Sequence, residues 1–204
     1  MGLLLENLFV WNDDLSEKIL TTITPATSED LEQTEDWQTQ WTSRAAREMP
    51  NKVALRRRDD AELLGLMSYE LDEKGLAVEI IYLESAGHSN ANLLHTKGGQ
   101  KKYIGIAKAL FAYAAAVSIE AGFGGVLFFK AKTSELREYY IREFGAMPLG
   151  SYDPFRLIIH MGGCGRAYYF RISVRRRIQI CWNRDVLIFR IWRSMVRFMA
   201  GLRR

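Results

Sequence analysis

Runs of apolar residues predict three strands in the first half of the chain. Lys52–Arg57, Leu63–Leu71 and Leu76–Glu84 are rich in Val, Ile, Leu and Tyr, which are residues that favour strands. Arg58–Asp60 and Asp72–Gly75 separate these runs and have the polar and glycine residues of tight turns. Because the connections are this short, we expect the three strands to form an antiparallel meander.

A helix is predicted before the strands and a long loop after them. Ser28, followed by Glu29 and Asp30, is a typical N-cap with acidic residues in the first turn, and Pro50 ends the predicted helix. Polar residues and glycines fill Ser85–Gln100, which predicts a loop. Loops of this length in compact domains are often functional.

Helices and single strands alternate in the second half. Lys108–Ala121 is an alanine-rich helix that Gly122 ends, and Ser134–Phe144 is a second helix. Val126–Ala131 and Phe155–His160 are short apolar strands. Since a strand–helix–strand unit joins parallel strands, we expect one parallel pair in an otherwise antiparallel sheet.

Composition bounds the class of protein. The chain has 204 residues, 48% hydrophobic and 25% charged, which is typical of one globular domain with an appendage. Cys164 and Cys181 have no metal-ligand spacing and indicate no disulfide framework, which favours a cytoplasmic location. The first residues lack the pattern of a signal peptide, and no apolar run reaches the roughly 18 residues of a spanning helix.

Charge divides the chain into two parts. Residues 1–160 have a net charge of −6, whereas residues 161–204 have a net charge of +10, with 11 Arg and no Lys. So strong an asymmetry predicts two parts with different roles. We therefore expect a folded domain over residues 1–160 and an Arg-rich basic extension over residues 161–204.

The basic extension contains a predicted amphipathic helix. Arg190, Arg193 and Arg197 share one face of Val186–Met199, and the other positions are mostly apolar. Such a helix is typical of segments that bind a membrane surface or an acidic partner, and arginines also bind RNA phosphates. One alternative is a helix docked on the body or on a second subunit. Another is an out-of-frame or read-through stretch, because an abrupt change from mixed Lys and Arg to Arg alone is typical of such sequence.

The start of the alanine-rich helix is a candidate anion site. Gly105 and Ala107 allow close backbone approach, and the free N–H groups of the first turn favour phosphate, helped by the helix dipole. Lys101 and Lys102 add positive charge. A short glycine motif is common at helix starts, and the preceding strand and loop make this one more specific.

Two segments resemble motifs of the GNAT superfamily of N-acetyltransferases. Lys102-Tyr103-Ile104-Gly105-Ile106-Ala107 is similar to the family's pyrophosphate loop, Arg/Gln-x-x-Gly-x-Gly/Ala, with Lys at the first position. Ala131–Ala146 resembles the segment that joins the family's fifth strand to its fourth helix and carries a tyrosine near the CoA sulfur. Tyr140 matches that tyrosine, and Tyr139 is the alternative because the spacing to Gly145 is one residue longer than usual.

The resemblance covers residues 63–160 through these motifs and residues 1–62 through the order of elements. It implies an α+β fold with a central mixed, mostly antiparallel sheet of six to seven strands, flanked by about four helices. Acetyl-CoA, without a metal, would lie between the two parallel strands. The cofactor-binding residues that it implies are Leu83, Glu84 and Ser85 for the pantetheine arm and Lys102, Tyr103, Ile104, Gly105, Ile106 and Ala107 for the pyrophosphate.

The implied activity is an acyl-CoA-dependent N-acetyltransferase, in which an amine attacks acetyl-CoA directly. This chemistry needs a base for the ammonium and an acid for the thiolate. Tyr140 is the predicted acid. Glu84 is the predicted base, directly or through water, with a solvated strand end as its other interpretation, while His88 and His95 are alternatives in the loop.

Glu79 lies five residues before Glu84, and we expect it on the opposite face of the strand. The acceptor could be a small amine, a protein amino group or an aminoacyl-tRNA, and the oligomeric state stays open, with a homodimer as one arrangement. The alternative function is a non-catalytic protein of the same fold that acts through its basic tail on a membrane or nucleic acid.

Overall fold

The structure of the protein, a computed structural model, describes residues 5–6, 8–12, 17–97, 99–161, 170–173 and 177–180. Its strands are β1 (Leu5–Glu6), β2 (Phe9–Asn12), β3 (Glu17–Pro25), β4 (Lys52–Arg57), β5 (Leu63–Asp72), β6 (Ala77–Ser85), β7 (Tyr103–Ile104), β8 (Val126–Lys130), β9 (Met147–Pro148), β10 (Arg156–His160), β11 (Phe170–Ser173) and β12 (Arg177–Ile180). Its helices are α1 (Ser28–Glu32), α2 (Arg44–Glu48), α3 (Ala91–Lys97), α4 (Ile106–Glu120) and α5 (Ser134–Phe144), with a 3₁₀ turn at Gly87–Ser89.

A nine-stranded sheet forms the centre of the protein, in the order β7-β2-β3-β4-β5-β6-β8-β10-β9. Every neighbouring pair is antiparallel except β6 and β8, which are parallel. This confirms the predicted mixed, mostly antiparallel fold and the single parallel pair. The sheet has nine strands rather than the six to seven that the resemblance implies. Five of them were predicted individually from the sequence, whereas β2, β3 and the two-residue strands β7 and β9 were not. The backbones of β1, β11 and β12 pair in a second sheet.

Helices cover both faces of the main sheet. On one face, α4 and α5 pack over the larger apolar cluster, which includes Phe111, Leu127 and Phe144. On the other face, which we call the α1–α2 face, Trp37 and Trp41 pack on inward side chains of β4 and β5. The sheet is therefore a wall between two separate apolar layers.

The prediction of a single helix from Ser28 to Pro50 is wrong. Two short helices, α1 and α2, begin instead after the N-caps Thr27 and Ser43. The segment between them is not helical, because the backbone N–H groups of Gln38 and Thr39 donate to the carboxylate of Glu84 rather than to helical carbonyls. A long-range contact thus overrides the local helical pattern.

The predicted loop over Ser85–Gln100 also contains regular structure. The 3₁₀ turn and α3 lie within it, and neither is long enough to show a helical period. The N-cap of α5 is Thr133, directly before the predicted first residue Ser134, since its hydroxyl accepts a hydrogen bond from the N–H of Leu136. The strands and long helices otherwise lie within two residues of their predicted starts.

Most of the basic extension is outside the described residues. Only Met161 and the backbones of β11 and β12 are described there, so the predicted helix over residues 186–199 and the domain boundary at residue 160 stay predictions. Within the part of the chain that is described, no helix is long and apolar enough to cross a membrane.

Candidate functional site

A β-bulge in β6 creates the main opening in the sheet. Ser68 pairs with Tyr82 and Tyr69 pairs with Ile80, which leaves Ile81 as an extra residue. The parallel pairing of β6 with β8 ends at Ile80 and Phe129, the last register before this bulge. Because an extra residue bends and twists its strand, β6 diverges from β8 beyond this point.

A cavity of about 300 Å³ lies where the two strands diverge. Residues of β6, of β8 and its following loop, and of α4 and α5 line it: Ile80, Ile81, Tyr82, Leu83, Phe111, Phe129, Lys130, Ala131, Lys132, Leu136 and Tyr140. The floor is apolar, and polar groups stand at its rim. This is the place between parallel strands where the sequence motifs put acetyl-CoA.

Tyr140 projects from α5 into this cavity. Its ring packs edge-on against Phe111 and Phe129, with centroids 5.7 and 4.9 Å away. Burial, with a smaller contribution from the neighbouring Tyr139, raises the pKa of Tyr140 to about 12. The hydroxyl therefore keeps its proton at neutral pH, and within the described residues it donates to no side chain.

Glu84 is a buried carboxylate with several donors. It accepts from the backbone N–H groups of Gln38 and Thr39 at 2.8 and 3.2 Å, from Trp41 Nε1 at 3.3 Å and from Asn90 Nδ2 at 3.4 Å. Its exposure is 4%. The carboxylate thus holds the α1–α2 connection against β6, and it is not among the residues that line the cavity.

The same bulge reverses which side of the sheet the even-numbered and odd-numbered residues of β6 face. Val78 and Ile80 point into the α4–α5 layer, so Glu79 lies on the α1–α2 face. After the extra residue the alternation shifts by one position, and Glu84 points to that face as well. Our expectation that Glu79 and Glu84 lie on opposite faces is wrong for this reason.

The start of α4 lies over the end of β6. A Cβ placed on Gly65 of β5 would be 2.8 Å from Cγ2 of Ile106 and 3.0 Å from the carbonyl oxygen of Glu84. The predicted pyrophosphate residues are thereby brought next to the predicted pantetheine strand. Gly105 has a φ of +99°, and no side chain caps the helix. The N–H of Ala109 is bonded to the Gly105 carbonyl, and the preceding N–H groups of the first turn are those that a helix leaves unpaired.

The side chains before Gly105 form a network around Glu62. Lys102 Nζ donates to Glu62 Oε1 at 2.7 Å, and the Tyr103 hydroxyl donates to Glu62 Oε2 at 2.7 Å. Arg57 donates to the Tyr103 hydroxyl at 2.9 Å. The Glu62 carboxylate raises the pKa of Lys102. The charge of Lys102 is therefore compensated, and the pair anchors the loop before the helix.

His88 belongs to the same network. Its Nε2 lies 3.4 Å from Glu62 Oε1, and its Nδ1 lies 2.8 Å from Ser89 Oγ. Burial lowers the pKa of His88 below its ordinary value. The loop histidine is thus a neutral structural group next to Glu62, and it does not line the main cavity. The other predicted loop histidine, His95, lies on α3.

Two residues at the rim of the cavity were missed by the sequence analysis. Tyr82 follows the bulge, and its hydroxyl accepts a hydrogen bond from Thr39 Oγ1 and another from Lys132 Nζ. The Lys132 ammonium lies 4.1 Å from the centre of the Tyr82 ring. These contacts join residues that are 43 and 50 positions apart, so no local motif indicates them.

The rest of the described surface offers weaker candidates for a functional site. A second cavity of about 230 Å³ lies between the turn after α1 and the start of β5, lined by Gln33, Asp36, Trp37, Glu62, Leu63, Ala86, Gly87 and His88. No cluster of three or more His, Cys, Asp or Glu that could hold a metal occurs among the described side chains.

Comparison with known proteins gives structural likenesses only. No protein-family model and no curated protein matches the chain. Similar solved structures include AtaT complexed with acetyl-methionyl-tRNAfMet, at 17% identity and a TM-score of 0.42, covering 69% of this chain and 95% of that one.

Two further structures are similar over comparable lengths. A GNAT-family acetyltransferase from Listeria monocytogenes has 12% identity and a TM-score of 0.48, covering 74% of this chain and 98% of that one. AtaTR bound with AcCoA has 15% identity and a TM-score of 0.41, covering 68% and 92%. At these identities and TM-scores the likenesses carry no argument of their own, and function has to be argued from the residues of this chain.

Proposed function

We propose that this chain is a GNAT-type acetyltransferase, which transfers an acetyl group from acetyl-CoA to an amine. The observation that carries the proposal is the bulge at Ile81, because it opens the parallel pair at a cavity that Tyr140 lines. The start of α4 lies over the end of the same strand, beyond the bulge, so both sequence motifs lie along β6.

The opened strand fits the pantetheine arm. The pairs between β6 and β8 end at Ile80, while β6 continues to Ser85 on its β5 side. The β8-facing edge of Leu83–Ser85 therefore has no strand partner among the described residues. An extended, amide-containing chain can add to such an edge as another strand would.

The start of α4 fits the pyrophosphate. Gly105 adopts a left-handed conformation, with only Cα of Val10, at 4.0 Å, near the position of an added Cβ. The unpaired N–H groups of the first turn are donors for phosphate oxygens, and the helix dipole adds to the attraction. Since Lys102 is paired with Glu62, we assign most of this binding to the backbone and not to the lysine.

The transfer itself uses few protein groups. The amine attacks the thioester carbonyl carbon, the C–S bond breaks, and Tyr140 gives its proton to the departing thiolate. The nitrogen of the new amide then returns a proton to the Tyr140 phenolate. The raised pKa of Tyr140 ensures that the proton is present at neutral pH. The carboxylate of Glu84 is fully occupied by its hydrogen-bond donors, so we assign it to positioning the α1–α2 connection, which carries Thr39. The ammonium of the acceptor then loses its proton to water at the rim of the cavity.

Substitution of Tyr140 tests the proposal. Tyr140→Phe should lower kcat by about 10²-fold, the typical contribution of a general acid, while the Kd for acetyl-CoA stays unchanged. Tyr139→Phe is the matched control, because its ring neighbours Tyr140 but does not line the cavity. The measurements are calorimetric titration with acetyl-CoA and thiol release with small amines, a peptide with a free N-terminus and an aminoacyl-tRNA.

Two outcomes would contradict the proposal. Absence of acetyl-CoA binding to the folded chain would remove the cosubstrate and with it the reaction. Equal turnover of the Tyr140→Phe and Tyr139→Phe variants would remove the general acid. The three acceptor classes and the cytoplasmic location predicted from the sequence stay parts of the proposal.

A further inference from the structure

Lys132 lies on the open side of the main cavity. Phe129 points into the layer of α4 and α5, so its neighbour Lys130 on β8 faces the other side of the sheet. Lys132 follows the strand and lies on that side too, because its ammonium contacts Tyr82, which packs on the α1–α2 face. The α4–α5 side of the cavity is closed by Phe111, Leu136 and Tyr140. An amine that approaches bound acetyl-CoA therefore has to come from the side on which the two lysines stand.

The ammonium of Lys132 is held at the rim of the cavity itself. Its Nζ donates to the hydroxyl of Tyr82, which is the first residue after the bulge and lines the cavity. No carboxylate within the described part of the chain pairs with it. Lys130 differs, because its Nζ is bound to the Asp153 carboxylate at 2.8 Å.

We infer that Lys132 is an internal acetyl acceptor, which receives the acetyl group of bound acetyl-CoA when no free amine competes. The inference rests on the proposed function, because it uses the same cavity and the same cosubstrate. Tyr82 and Thr39 fix the amine, and acetyl-CoA in the opened strand pair presents its thioester to it. Holding two reactants in one cavity replaces a bimolecular encounter by a step within one molecule.

The step balances without a further reactant. The Lys132 ammonium gives one proton to water at the exposed rim, and its lone pair attacks the thioester carbonyl carbon. The C–S bond breaks, and the CoA thiolate takes a proton from Tyr140. The nitrogen then loses its second proton to the Tyr140 phenolate. The products are free CoA and an amide at Nζ of Lys132, which has no positive charge and no longer attracts the Tyr82 ring as a cation.

Mass spectrometry of the full chain tests the inference. The protein is incubated with acetyl-CoA that carries an isotope-labelled acetyl group, and labelled peptides are quantified over time. Label should enter Lys132 at least about tenfold faster than Lys130, since only Lys132 is free of a carboxylate and fixed at the rim. The rate per molecule should not change with protein concentration.

Substitutions identify the acceptor. Lys132→Arg should abolish the fast labelling, Lys74→Arg, which lies in the turn before β6 and does not line the cavity, should leave it unchanged, and Tyr140→Phe should slow it. Circular dichroism checks that each variant is folded, and both lysines are exposed enough for the substitution to be tolerated. Equal labelling of Lys130 and Lys132, or a rate that rises with protein concentration, would overturn the inference.

The same samples separate this inference from the proposed function. If the chain binds acetyl-CoA and acetylates an added amine while Lys132 stays unlabelled, only the internal acceptor is wrong. If the folded chain does not bind acetyl-CoA, the proposed function is wrong and the inference is overturned with it.

Discussion

At the scale of single residues, Glu84 shows what could and could not be predicted from the sequence. Its position at the end of a strand was predictable, but its hydrogen-bond donors were not. The donors of Glu84 include Gln38, Thr39 and Trp41, which are 43 to 46 residues away, and no local pattern indicates such contacts. By contrast, Tyr140 was identified because its helix carries a motif around it, and the structure places it at the cavity.

Removal of Glu84 should therefore affect stability first. Glu84→Ala leaves buried donors unpaired, and we expect the free energy of unfolding to fall by about 3 kcal/mol. Glu79→Ala, on the same face but at a partly exposed ion pair with Arg156, should change it by less than about 0.5 kcal/mol. Urea unfolding measures both. An unchanged stability together with loss of turnover would instead identify Glu84 as the general base.

His88 should make the stability depend on pH. Burial lowers its pKa below the ordinary value of 6.5, so below that pH the unfolded chain binds the proton more readily than the folded chain does. The contribution is fully present above pH 6.5 and is lost as the pH falls. Its surroundings are Glu62 and Asp36, which favour protonation, and Lys102, which opposes it.

The check is urea unfolding at pH 7.5 and at pH 5.5. We expect the unfolding midpoint of the wild-type chain to be lower at pH 5.5, and we expect His88→Gln to reduce that difference. His160→Gln, at the end of β10, is the control and should keep it. An identical pH dependence with and without His88 would show that this histidine does not contribute.

At the scale of elements, both length and burial limited what the sequence could predict. β3 has nine residues and was still missed, because only one of them, Thr21, is buried and the strand shows no clear apolar pattern. The strands β4, β5, β6, β8 and β10 and the helices α4 and α5 are long enough to show a period or a composition, and all were predicted. The two-residue strands β7 and β9 show neither. The bulge at Ile81 was also beyond prediction, because a register exists only between two strands. Yet this bulge forms the site.

The start of α4 gives a prediction at this scale. Gly105→Ala and Gly122→Ala both place a side chain in a left-handed conformation, at φ values of +99° and +83° at opposite ends of the same helix. Each should cost a similar free energy of about 1 to 2 kcal/mol. Only Gly105→Ala should also weaken acetyl-CoA binding, by at least about tenfold, because it changes the residue directly before the unpaired N–H groups to which we assign the pyrophosphate.

Thermal unfolding and calorimetric titration with acetyl-CoA check the pair. The comparison is internal, since backbone strain is nearly the same at both glycines and only one of them faces the ligand. Unchanged affinity in Gly105→Ala, in a variant as stable as Gly122→Ala, would show that the pyrophosphate binds elsewhere.

At the scale of the whole molecule, the sheet separates the apolar floor of the cavity from its polar rim. The layer under α4 and α5 contains the apolar floor of the cavity and Tyr140, and the opposite face carries the polar rim of Tyr82, Thr39 and Lys132. The parallel pair between these faces was predictable from the order of strands and helix. Which side chains face which layer was not, because the bulge shifts the alternation halfway along β6.

The same shift in register also bears on how fast a ligand can enter the cavity. A cleft that a lid must uncover exists in only some of the molecules at any moment, and a ligand waits for the open form. Here the opening is part of the register of the sheet, because one surplus residue, Ile81, sets the two strands apart. We therefore expect the arrival of a ligand to be governed by diffusion and not by a motion of the protein.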